Sequence, residues 1–357
     1  MFGAKKRINN ISNMYQRLWG ADMKFPKVSV IIPARNEEKF IEECIRSLMN
    51  TSYPEEKIEI LVVDGVSEDG TRSVVEKMME KNKCVKLIEN LKKRKSPGLN
   101  IGIKHAAGDV ILIADAHSTY PKDYILKNVQ NLLNSDAHCV GGMINVKPRS
   151  DTVKAKAIAY VLSHPFGTGG AKYRLKIEKP EYVDTVPFGC YRKEVFDKLE
   201  GFNENLHRNM DIEFNLRMIR NGYKIKLFPD IVIDYYARDN YRDLWNNNFA
   251  NGYWVMMSNL YSKRPFSLRH TVPMAFLIFL VFGAMLSIFS IFFTFYLSIV
   301  GLYIAIGCYL SVKAAFRLKF AEAFFHTLFS FWVLHLSYGA GSVCGAIKLL
   351  SEKLKRR

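Results

Sequence analysis

Three carboxylates in this 357-residue chain stand where the sequence pattern brings side chains towards a ligand. Asp64 closes the run Ile58–Asp64 (IEILVVD), Asp115 closes Val110–Asp115 (VILIAD), and Asp211 heads an amphipathic stretch, IEFNLRMIRNGY. A carboxylate at the end of a strand can accept a hydrogen bond from a pyrimidine N3–H. It can also simply close a turn, and the VSEDGT after Asp64 is good turn chemistry in which Asp69 can cap. If the strand continues through Asp115, alternation puts Asp115 and His117 on one side, an acid beside an imidazole. The alternative is a polar strand end with His117 capping a loop. Asp211 either caps its helix or acts as a proton acceptor, with Glu213 as the next candidate.

These residues need elements to hold them. Val28–Pro33 (VSVIIP) and Ile58–Asp64 read as buried strands, Val85–Glu89 as a third and Val110–Asp115 as a fourth. Between them, Asn36–Asn50 carries Phe40, Ile41, Cys44, Ile45 and Leu48 at helical spacing, Asp69–Lys81 reads as a helix, and Gly98–Ala107 begins another. Residues 139–147 and 183–192 read as further strands and 211–221 as a helix. Such alternation predicts an α/β fold whose mainly parallel sheet has helices on both faces. In such sheets ligands bind beyond the carboxyl ends of the strands, and Pro33, Asp64 and Asp115 all lie there.

The stretches VSVIIPARNEE, LVVDGVSEDGT, KSPGLNIGIKHAAGDVILIADAHSTYP, VPFGCYRKEVFDKLEGFNE and NMDIEFNLRM resemble, in order, blocks of glycosyltransferase family 2. Its succinoglycan-biosynthesis-type membrane glucosyltransferases are the most similar branch, and the resemblance covers roughly residues 27–260. It implies a GT-A fold, a nucleotide-sugar donor, a divalent cation (Mn²⁺ or Mg²⁺) and inversion at the anomeric carbon. The resemblance carries donor binding to Pro33, Arg35, Glu37, Asp64, Gly98, Asn100 and Asp115, with a UDP-sugar favoured. For Arg35 and Glu37 the plain alternative is a turn with Asn36 as helix cap, and for Gly98 and Asn100 it is ordinary loop-to-helix chemistry. The usual second Asp is replaced by Gly65. Where GT-A enzymes carry Asp-X-Asp the chain has Asp115-Ala116-His117, which implies Asp115 and His117 at the metal, and imidazole suits Mn²⁺ better than Mg²⁺. Asp211 matches the family's catalytic base, with Met210 replacing the preceding acid, while Gly189 and Arg208 are placed on the acceptor side. The run Lys92–Lys95 reads as a solvated loop. GTGGAK (167–172) lacks phosphate-loop spacing. A Gln-X-X-Arg-Trp motif of processive synthases is missing before the anchor, which favours transfer of a single sugar.

The net charge is +17, from 51 Lys and Arg against 34 Asp and Glu. That suits an anionic membrane surface or nucleic acid. The basic residues flank apolar spans rather than forming a stripe with aromatics, so no nucleic-acid partner is expected. Thr271–Leu310 holds no charged residue, enough for two spans of about 20 residues joined by a tight turn. The expected organisation is a basic arm over residues 1–26, with Met14, Leu18 and Trp19 on one face, and a catalytic domain over 27–262. An anchor over 263–357 follows, with spans near 271–290 and 292–312 and a third apolar segment near 321–347. Lys263, Arg264, Arg269, Lys313, Arg317 and Lys319 favour cytoplasmic ends for the first two spans. A third full span would put the basic tail outside, and His326, His335, Gly339, Gly341 and Gly345 make that segment unusual, so it spans or is re-entrant. Tyr253 and Trp254 can mark the membrane interface. The six cysteines (Cys44, Cys84, Cys139, Cys190, Cys308, Cys344) form no CxxC pair and read as reduced thiols. No apolar segment follows the basic N-terminus, so a multi-pass cell-membrane protein with a cytoplasmic catalytic domain is expected. The expected activity is transfer to a lipid-linked saccharide in surface glycan or glycoprotein glycan assembly, with polyprenyl-phosphate sugar synthesis as the alternative. A non-catalytic membrane scaffold is the competing class, but it should have lost one of Asp64, Asp115 and Asp211, and all three are present.

Overall fold

The computed structural model describes residues 25–263, 265–286 and 290–355. The expected helical face of Met14, Leu18 and Trp19, the turn between the first two apolar helices, Arg264 and the last two arginines lie outside the described residues. The chain forms two compact units, which cut across the expected boundary near residue 262. Met1–Met143, Ile177–Glu204 and Arg217–Asp234 make one; Ile144–Lys176, Asn205–Leu216 and Tyr235–Arg357 make the other.

The first unit is built on a sheet of β1 (Val28–Ala34), β2 (Ile58–Asp64), β3 (Val85–Glu89), β4 (Val110–Ile113), β5 (Cys139–Pro148), β6 (Glu181–Tyr182), β7 (Cys190–Arg192) and β8 (Ile225–Ala237). Their order is β3-β2-β1-β4-β7-β5-β8-β6. The first four pair in parallel, in the register Ala34 to Asp64 and Ile31 to Ile113, and β7 runs antiparallel to both β4 and β5. β1 and β2 are apolar along almost their whole length and bury both faces, as strands between helix layers must. The polar exception is a carboxylate inside the layer: buried Glu59 accepts hydrogen bonds from the Ser29 hydroxyl (2.6 Å), the Ala107 N–H (2.6 Å) and Lys86 (2.9 Å).

Four helices follow the strands: α1 (Ile41–Met49), α2 (Thr71–Lys81), α3 (Lys95–His105) and α4 (Tyr124–Leu133). α2 starts two residues later than expected, and two others begin further from their expected starts. α1 starts at Ile41 rather than near Asn36, because Asn36 adopts a left-handed backbone (φ 57°). Asn36 does not cap the helix. Its N–H donates to Ser67 Oγ (2.9 Å) and its side-chain oxygen accepts from the Glu68 N–H (2.9 Å), tying the β1 and β2 loops together. α3 starts three residues early, at Lys95, because Pro97 then falls in the first turn, where a missing N–H costs nothing.

The second unit contains α5 (Val153–Leu162) and α6 (Pro165–Thr168). After α7 (Glu194–Leu199) of the first unit come α8 (Met210–Arg220), α9 (Tyr241–Met257), α10 (Val272–Leu286), α11 (Ser290–Leu318) and α12 (Ala323–Lys355). Leu268–Leu286, Phe292–Leu318 and Ala323–Lys355 are each long and apolar enough to cross a membrane. α9 lies along α12. Tyr241 hydrogen-bonds His326 (2.7 Å) and its ring meets Phe329, Leu244 joins the Phe331 and Leu334 cluster, and Phe249 and Tyr253 rest on Gly341 and Gly345. A Cβ at either glycine would overlap the carbonyl of Phe249 or Tyr253, so the glycines set the helix spacing. Gly341→Val is expected to cost about 1–3 kcal/mol of stability through overpacking, read as a lower midpoint in thermal unfolding of the full chain.

Candidate active site

The first unit places its acidic strand ends at a topological switch. β1 lies between β2 and β4; the chain adds β2 and β3 on one side of β1, then returns to β4 on the other. The crevice at such a reversal is where α/β sheets hold ligands. Pro33 is the last residue but one of β1, Arg35 and Glu37 follow that strand, Asp64 ends β2, and Asp115 and His117 follow β4.

β4 stops at Ile113, so strand alternation is not what aligns Asp115 with His117. A turn does it. The Asp115 N–H donates to the Tyr120 hydroxyl (2.7 Å) and the Asp115 carbonyl accepts from the Cys44 thiol (3.4 Å). With its backbone pinned, the carboxylate reaches Lys95 Nζ with Oδ1 (3.1 Å) and His117 Nε2 with Oδ2 (3.4 Å). The other imidazole nitrogen, Nδ1, lies 3.3 Å from Glu37 Oε1. The hydrogen bond to Glu37 comes first among the causes that hold the His117 pKa above its ordinary value, and Asp115 adds to it; together they outweigh burial and the repulsion of Lys95. Burial, reinforced by Asp115 and Glu37, pushes the Cys44 thiol far up, so Cys44 is a structural donor and no nucleophile.

The residues fit a divalent cation. Asp115 Oδ2 and His117 Nε2, 3.4 Å apart, can share one ion with bonds of about 2.1 Å. No group of three or more His, Cys, Asp or Glu able to hold a metal occurs among the described residues. An ion here would therefore draw its remaining ligands from water and substrate, as Mg²⁺-type sites do. Lys95 is the residue of this cluster that sequence reasoning misses. The run Lys92–Lys95 reads as a solvated loop, yet Lys95 is the first residue of α3 and pairs with Asp115; the signal is the position of Pro97, which sets where the helix starts.

The other donor-side residues divide. Asp64 is fully buried, and its carboxylate accepts from the Ser67 hydroxyl (2.5 Å) and N–H (3.2 Å), with Arg72 Nη1 at 3.9 Å. Turn closure is thus one of its roles. Arg35 is half exposed, pairs with Glu68 (3.6 Å), and passes over Gly65, where a Cβ would come within 3.3 Å of it. An Asp at position 65 would crowd Arg35. Asn100, expected at the donor, has both ends of its amide occupied: Nδ2 donates to the Phe202 carbonyl (2.8 Å) and Glu204 (3.2 Å), and Oδ1 accepts from the Phe202 N–H (2.8 Å). Its work is to hold the 202–204 loop. Gly98 is buried and seats α3 against Asn90, Pro33 and Val63. Gly189, expected on the acceptor side, extends the β4 pairing by accepting from the Ile113 N–H (3.1 Å).

In the second unit Asp211 opens α8 on its exposed side. Met210 beside it is buried, and Glu213, the rival base, is 1% exposed with Oε1 accepting from the Ser262 hydroxyl (2.8 Å). Asp211 is the solvent-facing carboxylate of this turn. The loop before it is fastened to α9 by three successive residues. His207 stacks on Trp254 (4.6 Å), Arg208 Nη1 donates to Asn247 Oδ1 (3.1 Å) and Asn251 Oδ1 (2.8 Å), and Asn209 Nδ2 donates to the Asn251 carbonyl (3.1 Å). Arg208, expected on the acceptor side, is thus half-buried and engaged in holding the loop. Trp254, expected as an interface marker, holds His207.

Residues 29–200 match the family description "Glycosyl transferase family 2". The dolichyl N-acetyl-alpha-D-glucosaminyl phosphate 3-beta-D-2,3-diacetamido-2,3-dideoxy-beta-D-glucuronosyltransferase of Methanococcus voltae is 30% identical over 262 residues, 71% of this chain and 80% of that protein. The chain belongs to glycosyltransferase family 2. The succinoglycan biosynthesis protein ExoA of Rhizobium meliloti is 27% identical over 261 residues, 72% of this chain and 78% of its own. The mannosyltransferase PcManGT from Pyrobaculum calidifontis, solved with GDP-Man and Mn²⁺, superposes with a TM-score of 0.57 at 18% identity, covering 99% of this chain and 98% of its own. That likeness establishes the GT-A fold of this family 2 member.

Because His117 is protonated more readily in the folded chain, its contribution to stability is complete below the ordinary imidazole pKa of 6.5 and is lost as pH rises through the raised value. Glu37→Gln removes the largest cause, so the His117 titration should move down towards 6.5 in a histidine-resolved NMR experiment. An unmoved titration would mean that Asp115 alone sets it.

Proposed function

We propose that this family 2 enzyme moves one sugar from a nucleoside-diphosphate donor to a lipid-linked saccharide at the cytoplasmic face of the cell membrane, with inversion at the anomeric carbon. The observation that carries the reading is the Glu37–His117–Asp115–Lys95 cluster at the sheet's switch point, where a pair of metal donors adjoins a lysine. A divalent cation on Asp115 and His117, Mn²⁺ more readily than Mg²⁺ given the imidazole, would neutralise the charge of a departing diphosphate. Lys95 supplies fixed positive charge on the same side, and Glu37 orients His117. Asp64, Arg35 and Pro33 line the base, and a UDP-sugar suits Asp64 because uracil N3–H can donate to it. Asp211 takes the proton of the acceptor hydroxyl as that oxygen attacks. The relatives, a transferase acting on a dolichyl N-acetylglucosaminyl phosphate in one case and a succinoglycan biosynthesis protein in the other, support a lipid-linked saccharide as acceptor.

The exposed polar residues of α9 support a particular membrane arrangement. Its residues Arg242, Asp243 and Asn246 are exposed, and it accompanies α12 from His326 to Gly345. A charged, asparagine-rich helix does not lie in hydrocarbon. α10 and α11 therefore cross as a hairpin, while α12 stays at the cytoplasmic face and holds α9 there. This also keeps Lys348, Lys353 and Lys355 inside, as the positive-inside rule asks.

Asp211→Asn is expected to lower kcat by about 10²–10⁴-fold in a nucleotide-release assay with Mn²⁺, a nucleotide-sugar panel and a lipid extract, with donor affinity unchanged. Loss of donor binding instead would remove Asp211 from the role of base. Topology is read with a membrane-impermeant maleimide on Glu352→Cys, in a chain whose Cys308 and Cys344 are serine. Labelling should come from the same face as Lys198→Cys; labelling from the opposite face would mean that α12 crosses.

A further inference from the structure

A second constellation, outside the catalytic residues, sits where α11 ends. Lys313 and Arg317, four residues apart, share one face of that helix. With Phe316, and with Tyr160 and His164 from the end of α5 and just beyond, they line a cavity of about 540 Å³. Every polar group in this lining can donate. Arg317 lies over the Tyr160 ring (5.9 Å) and Lys313 over the Tyr309 ring (5.0 Å). His164 Nδ1 accepts from the Phe166 N–H (3.2 Å), so the neutral ring carries its proton on Nε2 and offers a donor. Burial, helped by the Lys313 ammonium, holds the His164 pKa below its ordinary value and keeps the ring neutral. No carboxylate lines the cavity or forms a salt bridge to Lys313 or Arg317 among the described residues. Beside these donors Phe316 is 81% exposed, an apolar side chain next to a site for an anion.

We propose that this pocket binds the phosphate head of a membrane lipid. The inference rests on α11 crossing the membrane and not on the chemistry of Asp211. A span that ends in a lysine and an arginine puts both at headgroup depth. There two cations, an imidazole N–H and the Tyr160 hydroxyl can surround phosphate oxygens while Phe316 meets the first carbons of the chain. A free anion would use the donors alone. A lipid uses the donors and the apolar flank together. The phosphate can come from a bilayer phospholipid or from a prenyl phosphate, and the recognition is the same.

The test is equilibrium binding to the full-length protein in uncharged detergent, followed by native mass spectrometry, with dioleoyl phosphatidate, farnesyl phosphate and inorganic phosphate as separate probes. Wild type is compared with Lys313→Gln/Arg317→Gln, with Arg317→Gln alone, and with the charge-preserving Lys313→Arg/Arg317→Lys. Affinity for at least one lipid probe should fall at least about tenfold in the double variant, fall less in the single variant, and be kept by the charge-preserving pair. Phosphatidate alone would name a bilayer lipid, farnesyl phosphate alone a prenyl carrier, and both a general headgroup site; each supports the proposal. Equal binding by wild type and the glutamine variants overturns it, as does inorganic phosphate binding as tightly as either lipid. Both side chains are exposed, so the thermal unfolding midpoint is expected to stay in place. If the double variant unfolds, the single variant decides.

Discussion

The Asp115 carboxylate is shared between the Lys95 ammonium on one oxygen and the His117 imidazole on the other, and its neighbours are arranged to allow that sharing. β4 has to end two residues early so that the chain can turn. Tyr120 and Cys44 then hold the backbone of Asp115 from below. Pro97 lets α3 begin at Lys95, and Gly65 leaves room for Arg35. A family site with two aspartates would carry more negative charge at this point. Here an imidazole takes the third position, and its proton competes with any cation for the same lone pair. Glu37 strengthens that competition by favouring the charged ring.

The second unit meets a different demand. The base proposed for this unit, Asp211, needs open lone pairs and has to be held still without being consumed by its own hydrogen bonds. The turn that opens α8 solves this by division of labour. Met210 and Glu213 point inwards, and Asp211 is left outside. Rigidity comes from the three residues before it, which grip α9 through a ring stack and a set of asparagine amides. α9 in turn is seated on α12 through glycines at positions 341 and 345. The carboxylate assigned as base therefore belongs to the same compact unit as the apolar helices, which suits an acceptor that resides in a membrane.

Some of this was legible in the chain itself. β-branched runs, turn residues and the spacing of Ile41, Cys44, Ile45 and Leu48 are local properties, so the parallel strands, their helices and the acidic end of β2 followed from residues within a few positions of one another, whereas Asp115 lies two residues past the end of β4. Apolar length likewise determined three candidate membrane helices. Family 2 membership rested on ordered blocks, and those too are linear. What the chain alone could not decide were partners distant in sequence: Lys95 on Asp115, Glu37 on His117, Asn100 on residues 202–204, and Trp254 on His207. A charge run, an asparagine within a helix and an aromatic before a membrane helix have the same local signature whether they face water or a side chain a hundred residues away. Only packing chooses between those partners, because hydrogen bonds and ion pairs act over about 3 Å of space, whatever the distance along the chain.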